Sequence, residues 1–252
     1  MITLLGSIRL FRDRATMSTM GQMSNDSSSD SNSRSSVNLV RSSHTWTEAD
    51  SAAGFVLRYL PPMRAQLIAV LGSKSEADEA LKLLLAHLVQ AGFGDHKQGR
   101  LRDFLVRSIR SCAKKRLEDL PKEQCEHINL DGLTLQSKQW ILLWRDCLLE
   151  RAWRALERYE HSHPESPVYA VLNSATADKA ATPEVLAERI REQYGVEIRP
   201  DQVQSILPSA RAMFAQLIAD EVVETLQSPT RDDVKEEIQI LGMAQAFSGL
   251  TV

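Results

Sequence analysis

Cysteine is scarce in this sequence, and the three that occur, Cys112, Cys125 and Cys147, form no CxxC pair. An odd number of widely spaced cysteines does not fit a disulfide framework. Because free thiols persist in reducing compartments, this cysteine usage favours a cytoplasmic location. Long apolar runs are missing too, since no segment approaches the ~18 residues that a membrane-spanning helix needs. The sequence therefore predicts no contact with a membrane.

The common motifs of nucleotide-binding and catalytic loops are also missing. The chain contains no GxxxxGK[ST], GxGxxG, HExxH or GxSxG pattern, the signatures of nucleotide binding, zinc proteolysis and serine hydrolysis. Cys125 and His127 stand close together, but no second pair completes a metal site. The sequence therefore predicts no cofactor and no metal, and it gives no argument for an enzyme.

The first 44 residues show no usable periodicity. Their serine-rich stretch, SNDSSSDSNSRSSVN, has too little apolar surface to offset the entropy of ordering. Residues 1–44 are therefore predicted to form a disordered tail. A targeting peptide is the alternative for the very beginning of the chain, although Arg9, Arg12 and Arg14 interrupt its apolar part.

The chain as a whole is not a polycation, since its formal net charge is -3. Any affinity for nucleic acid must therefore come from a local basic patch. The most basic stretch follows Gly99, where a helical apolar pattern is interspersed with the cations Arg100, Arg107, Arg110, Lys114, Lys115 and Arg116. Phosphate binding is one interpretation of this stretch. A solvated helix face with snorkelling side chains is the other.

Apolar residues at helical spacing predict an all-α protein from about residue 45 onwards. Pro61 and Pro62 separate two predicted helices, and Ser75 is the expected cap of the next one. After an aperiodic stretch, Trp140 and Trp144 recur at four-residue spacing. This spacing predicts a long helix with both tryptophans in a core. His161 and His163 follow in a proline-containing break and are expected to be exposed loop residues.

A helix-turn-helix pattern begins at Thr182, the expected cap of a helix whose first residue is Pro183. Gly195 is expected to end that helix in the left-handed conformation. Pro200 opens a second, longer run, in which Pro208 lacks a backbone donor and predicts a kink. In DNA-binding versions of the motif the second helix lies in the major groove. Any pair of packed helices in an all-α domain is the alternative.

The order of these features resembles bacterial extracytoplasmic-function sigma factors, in particular a divergent sigma-like subgroup. The segments that carry the resemblance are GRLRDFL at 99–105 and ARAMFAQL at 210–217. The stretches LLERAWRALERYE and EEIQILGMAQAF are also similar, so the resemblance covers about residues 46–245. It implies two small helical domains, the second containing the helix-turn-helix. Their expected bounds are 45–118 for the first, 119–139 for a linker, and 140–252 for the second.

The resemblance also implies a function, because proteins of this family bind core RNA polymerase and direct it to promoters. The recognition helix would contact bases through Arg199, Gln202, Gln204, Ser205, Ser209 and Arg211. The basic helix would follow phosphates or the opened strand through Arg107, Arg110, Lys114, Lys115 and Arg116. An acidic stretch with Glu76, Asp78 and Glu79 stands where the family contacts the polymerase clamp.

The expected partners are core RNA polymerase, promoter DNA, and an anti-sigma or other regulatory protein. A function of another class is the alternative to promoter recognition. In that interpretation the chain is a helical regulatory or protein-interaction module that keeps the sigma-like architecture without reading promoter DNA. Binding to DNA that depends on salt would separate the two, because phosphate contacts release counterions.

Overall fold

The computed structural model describes residues 36–40, 45–94, 99–121, 125, 128 and 130–251. The fold is all-α, as predicted. Its helices are α1 Ala52–Val56, α2 Leu60–Leu71, α3 Lys74–Ala91, α4 Leu101–Glu118, α5 Lys138–Ser162, α6 Val168–Ala177, α7 Pro183–Tyr194, α8 Pro200–Glu224 and α9 Arg231–Ile240. Two isolated β-bridges are the sole β-structure within these ranges. In the same ranges no helix is both long and apolar enough to cross a membrane.

Local sequence signals set most helix ends. Helix α7 begins at Pro183 and ends at Gly195, whose φ of 68° is the left-handed conformation predicted for it. Helix α8 begins at Pro200, also as predicted, and continues through Pro208 for all of its 25 residues. The cap predicted for α3 is wrong. Ser73, not Ser75, accepts the hydrogen bond from the backbone N–H of Glu76 and so precedes the helix.

One hydrophobic core joins the two halves of the chain. Helices α2, α3 and α4 pack there with the first half of α5 and the second half of α8. The predicted linker, 119–139, therefore does not separate a core of 45–118 from a core of 140–252. Helical periodicity shows which face of a helix is buried, but it does not show which partner covers that face.

The tryptophans of α5 lie at the centre of this core, as predicted. Trp140 and Trp144 are both fully buried, with ring centroids 5.7 Å apart. Tyr59, which immediately precedes α2, stacks on Trp144 at 4.8 Å. The aromatic contacts thus tie the start of α2 to the first half of α5.

Two smaller apolar clusters surround the remaining halves of α5 and α8. Helix α6 contributes to both clusters, and α7 packs beside it through Leu186 and Ile190. Trp153 of α5 lies 4.3 Å from Phe214 of α8, measured between ring centroids. Helix α6 and the end of α5 therefore pack against the helix pair α7 and α8, which carries the helix-turn-helix pattern.

Residues 36–40 pack against the fold, which corrects the predicted tail in this part of the chain. Val37 is 4% exposed and Leu39 is 2% exposed, and both belong to the main core. The backbone N–H of Val37 donates to the carbonyl of Thr251 at 2.9 Å. Val37 lies at the end of the serine-rich stretch and Leu39 directly after it, so the composition of the stretch gave no sign that they are buried. The rest of the predicted tail, 1–35 and 41–44, lies outside the described residues.

Candidate nucleic-acid interface

Helix α4 presents a row of cations because its opposite face is buried. Leu105, Ile109 and Ala113 are fully buried against α2 and α3. Residues at i, i+3 and i+7 share a helix face. The exposed cations at these positions are Arg107, Arg110 and Lys114, with Lys115 beside them. These four residues, which we call the basic row, face solvent as the sequence predicted.

The basic row is largely free of carboxylates. In the described part of the chain, Arg107, Lys114 and Lys115 have no ion pair. Arg110 Nη2 lies 3.6 Å from Asp131 Oδ1, and the Asp131 side chain is 87% exposed. An ion pair this exposed is screened by salt and contributes little. The cations of the row are therefore available to an anionic ligand.

Arg116, the fifth cation predicted to contact phosphate, is already engaged. Its guanidinium pairs with the carboxylate of Glu76 at the start of α3. The hydrogen bond to Glu76 raises the pKa of Arg116 above its usual value. Arg116 therefore joins α4 to α3 and does not belong to the basic row.

The first turn of α4 is held by a buried ionic network that the sequence analysis missed. Arg102 is 3% exposed and Glu237 of α9 is 1% exposed. Arg102 donates through Nε to Glu237 Oε1 at 2.9 Å and through Nη2 to Oε2 at 3.2 Å. Arg100 Nε lies 3.1 Å from the same Oε2, and its Nη2 donates to Glu236 Oε2 at 2.8 Å. Helix α9 thus fixes the start of the basic helix.

One sequence signal could have found this network. Arg102 lies three positions before Leu105 and seven before Ile109, so the helical phase places a cation on the buried face of α4. A buried guanidinium needs an anionic partner. Trp140 further fixes this turn, because its indole N–H donates to the carbonyl of Arg102 at 3.2 Å. The segment GRLRDFL therefore has a structural role at its arginines.

A shallow groove of about 260 Å³ lies beside Arg107 and Arg110, at one end of the basic row. Val106, Leu133 and Leu135 supply apolar side chains to its lining. Arg107 and Arg110 also line the groove. Guanidinium groups bind phosphate in bidentate geometry, and apolar side chains can support a base or an aliphatic group. The groove thus places two guanidinium groups next to an apolar lining.

The predicted recognition-helix residues lie together at the start of α8, but most of their polar groups are engaged locally. Arg199 pairs with Asp201 through two contacts of 3.1 Å, which lowers the pKa of the Asp201 carboxyl. The side-chain carbonyl of Gln202 accepts from the backbone N–H of Arg199 at 3.0 Å. Ser205 and Ser209 donate to backbone carbonyls at 2.9 and 2.8 Å.

Gln204 and Arg211 are the exceptions in this set. Both are exposed, and no hydrogen bond or ion pair engages their side chains within the described ranges. Glutamine can read adenine in the major groove, and arginine can hold guanine or phosphate. The side chains of these two residues are therefore accessible for the contacts that the resemblance implies.

The two predicted DNA surfaces differ in their net charge. Residues 183–211 hold five acids and four arginines, a net charge of −1, whereas 101–118 hold six cations and two acids, a net of +4. Three of the four arginines in 183–211 are paired with carboxylates: Arg189 with Asp178, Arg191 with Glu188, and Arg199 with Asp201. Attraction for a polyanion is consequently concentrated on α4.

The acidic stretch expected to contact polymerase lies on α3, and its carboxylates are paired. Asp78 accepts two hydrogen bonds from Arg64, at 2.6 and 2.9 Å, which lowers the pKa of its carboxyl. Glu79 pairs with Lys82 at 2.7 Å, and Glu76 pairs with Arg116. A partner would therefore meet ion pairs on this helix rather than isolated carboxylates.

Titratable clusters offer no second kind of site in the described part of the chain. No group of His, Cys, Asp and Glu is arranged there to hold a metal ion. Cys125 is partly buried, and His127 lies outside the described residues. His161 and His163 are exposed, as predicted, but His161 lies in the last turn of α5 rather than in a loop. Comparisons with protein-family models, curated proteins and solved structures find no match to this chain.

Proposed function

We propose that this chain is a sigma-like transcription initiation protein that binds core RNA polymerase and promoter DNA. The observation that carries the proposal is the basic row of α4, with four exposed cations on a helix whose net charge is +4. The resemblance of GRLRDFL and ARAMFAQL to sigma-factor segments supports the same function. In this proposal the protein is not an enzyme and works in the cytoplasm.

The basic row accounts for DNA affinity in this proposal. Each cation that neutralises a phosphate releases a condensed counterion, with a slope of about −0.9 in log K against log salt per contact. Four cations therefore give a slope of up to about −3.6 on duplex DNA. Base reading belongs to Gln204 and Arg211 of α8, which are exposed and unengaged in the described structure.

The first experiment removes two cations of the basic row. We expect Lys114→Ala with Lys115→Ala to weaken binding to every DNA sequence and to flatten the salt slope by up to about two units. Alanine preserves the helix. Fluorescence anisotropy with labelled duplexes at several salt concentrations measures both quantities.

The matched control removes the same charge from other surfaces. Lys82 and Lys179 are exposed and lie on α3 and after α6. Lys82→Ala with Lys179→Ala should change the affinity and the salt slope much less than the α4 pair. Equal effects of the two double variants would mean that net charge, and not the basic row, governs binding.

A pull-down with purified core RNA polymerase tests the other half of the proposal. The wild-type chain should be retained at physiological salt. Failure of retention, together with salt-dependent DNA binding, would leave a DNA-binding protein and would remove polymerase from its partners.

The second candidate is a helical protein-interaction or regulatory module without promoter reading. The negative net charge of residues 183–211 favours it, because this surface as a whole does not attract a polyanion. Gln204→Ala separates the two candidates. For a promoter-reading protein it should lower discrimination between a promoter and scrambled DNA, by about 1–3 kcal/mol for a bidentate contact. Unchanged discrimination with retained polymerase binding would favour the module.

A further inference from the structure

Residues 36–40, which we call the strap, lie on the fold as an extended peptide lies in a binding site. Exposure alternates without exception along them: Ser36, Asn38 and Val40 are exposed, whereas Val37 and Leu39 are buried. Alternation with a period of two is the geometry of an extended strand. Ser36 also forms a parallel bridge with Thr251 at the other end of the chain.

One side chain of α8 forms hydrogen bonds with the backbone of the strap. Gln216 Oε1 accepts from the backbone N–H of Asn38 at 2.8 Å, and Gln216 Nε2 donates to the carbonyl of Asn38 at 2.8 Å. A side-chain amide thus makes the pair of hydrogen bonds that a neighbouring strand would make. In peptide-binding domains that add a strand, hydrogen bonds to the peptide backbone likewise give affinity, and pockets for alternate side chains give specificity.

The orientation of the Gln216 amide is fixed by a further contact. Gln216 Nε2 also donates to Asp220 Oδ1 at 2.8 Å, one helical turn away. A carboxylate accepts hydrogen bonds and cannot donate them, so the amino group must face Asp220 and Asn38 O. The donor and the acceptor of the Gln216 amide are therefore already oriented to pair with an extended backbone.

The strap itself shows which sequences the surface accepts. It places two aliphatic side chains, Val37 and Leu39, two residues apart in the main core. Between them, Asn38 Oδ1 accepts from the backbone N–H of Val40 at 3.0 Å, which closes a local turn. Asparagine favours such local turns. The pattern seen in place is therefore an aliphatic residue, asparagine and a second aliphatic residue.

We infer that α8 and the chain end at Thr251 form a peptide-binding site, which residues 36–40 occupy in cis as a displaceable ligand. The strap touches the fold with one face only, and an open groove of about 250 Å³ runs beside it towards Arg231. Its occupant is this chain's own segment, held by the hydrogen bonds of Gln216 and Thr251 and by two apolar side chains. The inference does not depend on the proposed DNA binding.

The test uses full-length protein in which the strap cannot hold its place. Val37→Asp with Leu39→Asp removes both apolar side chains and vacates the site. Ser36→Asp with Val40→Asp adds the same charge at the exposed positions and is the matched control. The probe is a fluorescein-labelled peptide of residues 34–42, followed by anisotropy. We expect saturable binding to the vacated variant that is at least about ten-fold tighter than binding to wild type or to the control.

Gln216→Ala in the vacated variant should weaken the peptide by about ten-fold, because two hydrogen bonds to its backbone are lost. Absence of saturable binding to the vacated variant, or equal binding to wild type, overturns the inference. So does an unchanged affinity after Gln216→Ala.

A second measurement covers the case in which the vacated variant does not fold. In wild type, the amides of Val37 and Asn38 should exchange with deuterium at least ten-fold faster than the amide of Val222 in α8. Fast exchange at hydrogen-bonded amides reports local opening of the strap. Protection equal to that of Val222 would mean that the strap opens only with global unfolding, and the inference then fails.

Discussion

Glu237 provides the sharpest test of how α9 stabilises the basic helix. Its carboxylate is 1% exposed and receives the Nε and Nη2 donors of Arg102 together with Arg100 Nε. Glu237→Ala leaves the Arg102 guanidinium, itself 3% exposed, with Asp103 at 3.4 Å and the carbonyl of Leu135 at 3.2 Å. Removing one partner of a buried ion pair costs about 3–5 kcal/mol, because the other charge stays buried. We expect a loss of unfolding free energy in this range.

Glu236 is the matched control in the same helix. It pairs with Arg100 at 2.8 Å, but its side chain is 59% exposed. Exposed pairs contribute about 0–1 kcal/mol, so Glu236→Ala should cost much less than Glu237→Ala. The double variant Arg102→Met with Glu237→Leu replaces the buried charges by apolar groups and should recover most of the loss.

Urea unfolding followed by tryptophan fluorescence measures these differences. Trp140 is a suitable probe, because its indole donates to the carbonyl of Arg102. Equal losses for Glu237→Ala and Glu236→Ala would refute the reasoning. A double variant as unstable as Glu237→Ala would refute it as well, because the cost would then lie in packing rather than in an unpaired charge.

Two further predictions concern the main core. Trp144→Ala should lower the free energy of unfolding by about 3–5 kcal/mol, and a cost below about 0.5 kcal/mol in the same urea assay would contradict its burial. Burial raises the pKa of the Cys147 thiol to about 12. Because this folded-state pKa lies above the unfolded one, the thiol's contribution to stability is complete below about pH 9 and is lost as the pH rises towards 12. Cys147→Ser should therefore lose less stability than wild type between pH 8 and 11, and parallel losses would contradict the prediction.

Structural features that depend on a few neighbouring residues were predictable from the sequence. Pro183, Gly195 and Pro200 set helix ends through their own backbone conformations, so these limits needed no tertiary information. The burial of Trp140 and Trp144 followed from four-residue spacing. The exposure of the basic row followed from the same rule, because its phase is opposite to that of the apolar residues on α4.

Contacts between distant parts of the chain were not predictable in this way. Arg116 is not part of the candidate interface, because its guanidinium pairs with Glu76, forty residues earlier in the sequence. Glu237 meets Arg102 across 135 residues, and Gln216 meets Asn38 across 178. A pattern within one helix shows that a charged residue falls on a buried face, but the partner that neutralises it depends on the packing of all helices. The shared core of α2–α4 with α5 and α8 was not predictable for the same reason.

The long helices α5 and α8 decide how α7 and the first half of α8 are attached to the rest of the protein. Each has 25 residues, and each contributes one half to the main core and the other half to the smaller clusters. Arg151 of α5 pairs with Glu221 of α8 where both helices enter the main core. A flexible linker would let two DNA-binding surfaces adjust to several promoter spacings. Two continuous helices do not allow this adjustment. If Gln204 and Lys114 bind one DNA molecule, the distance between the two contacted DNA sites must therefore match a single geometry of the protein.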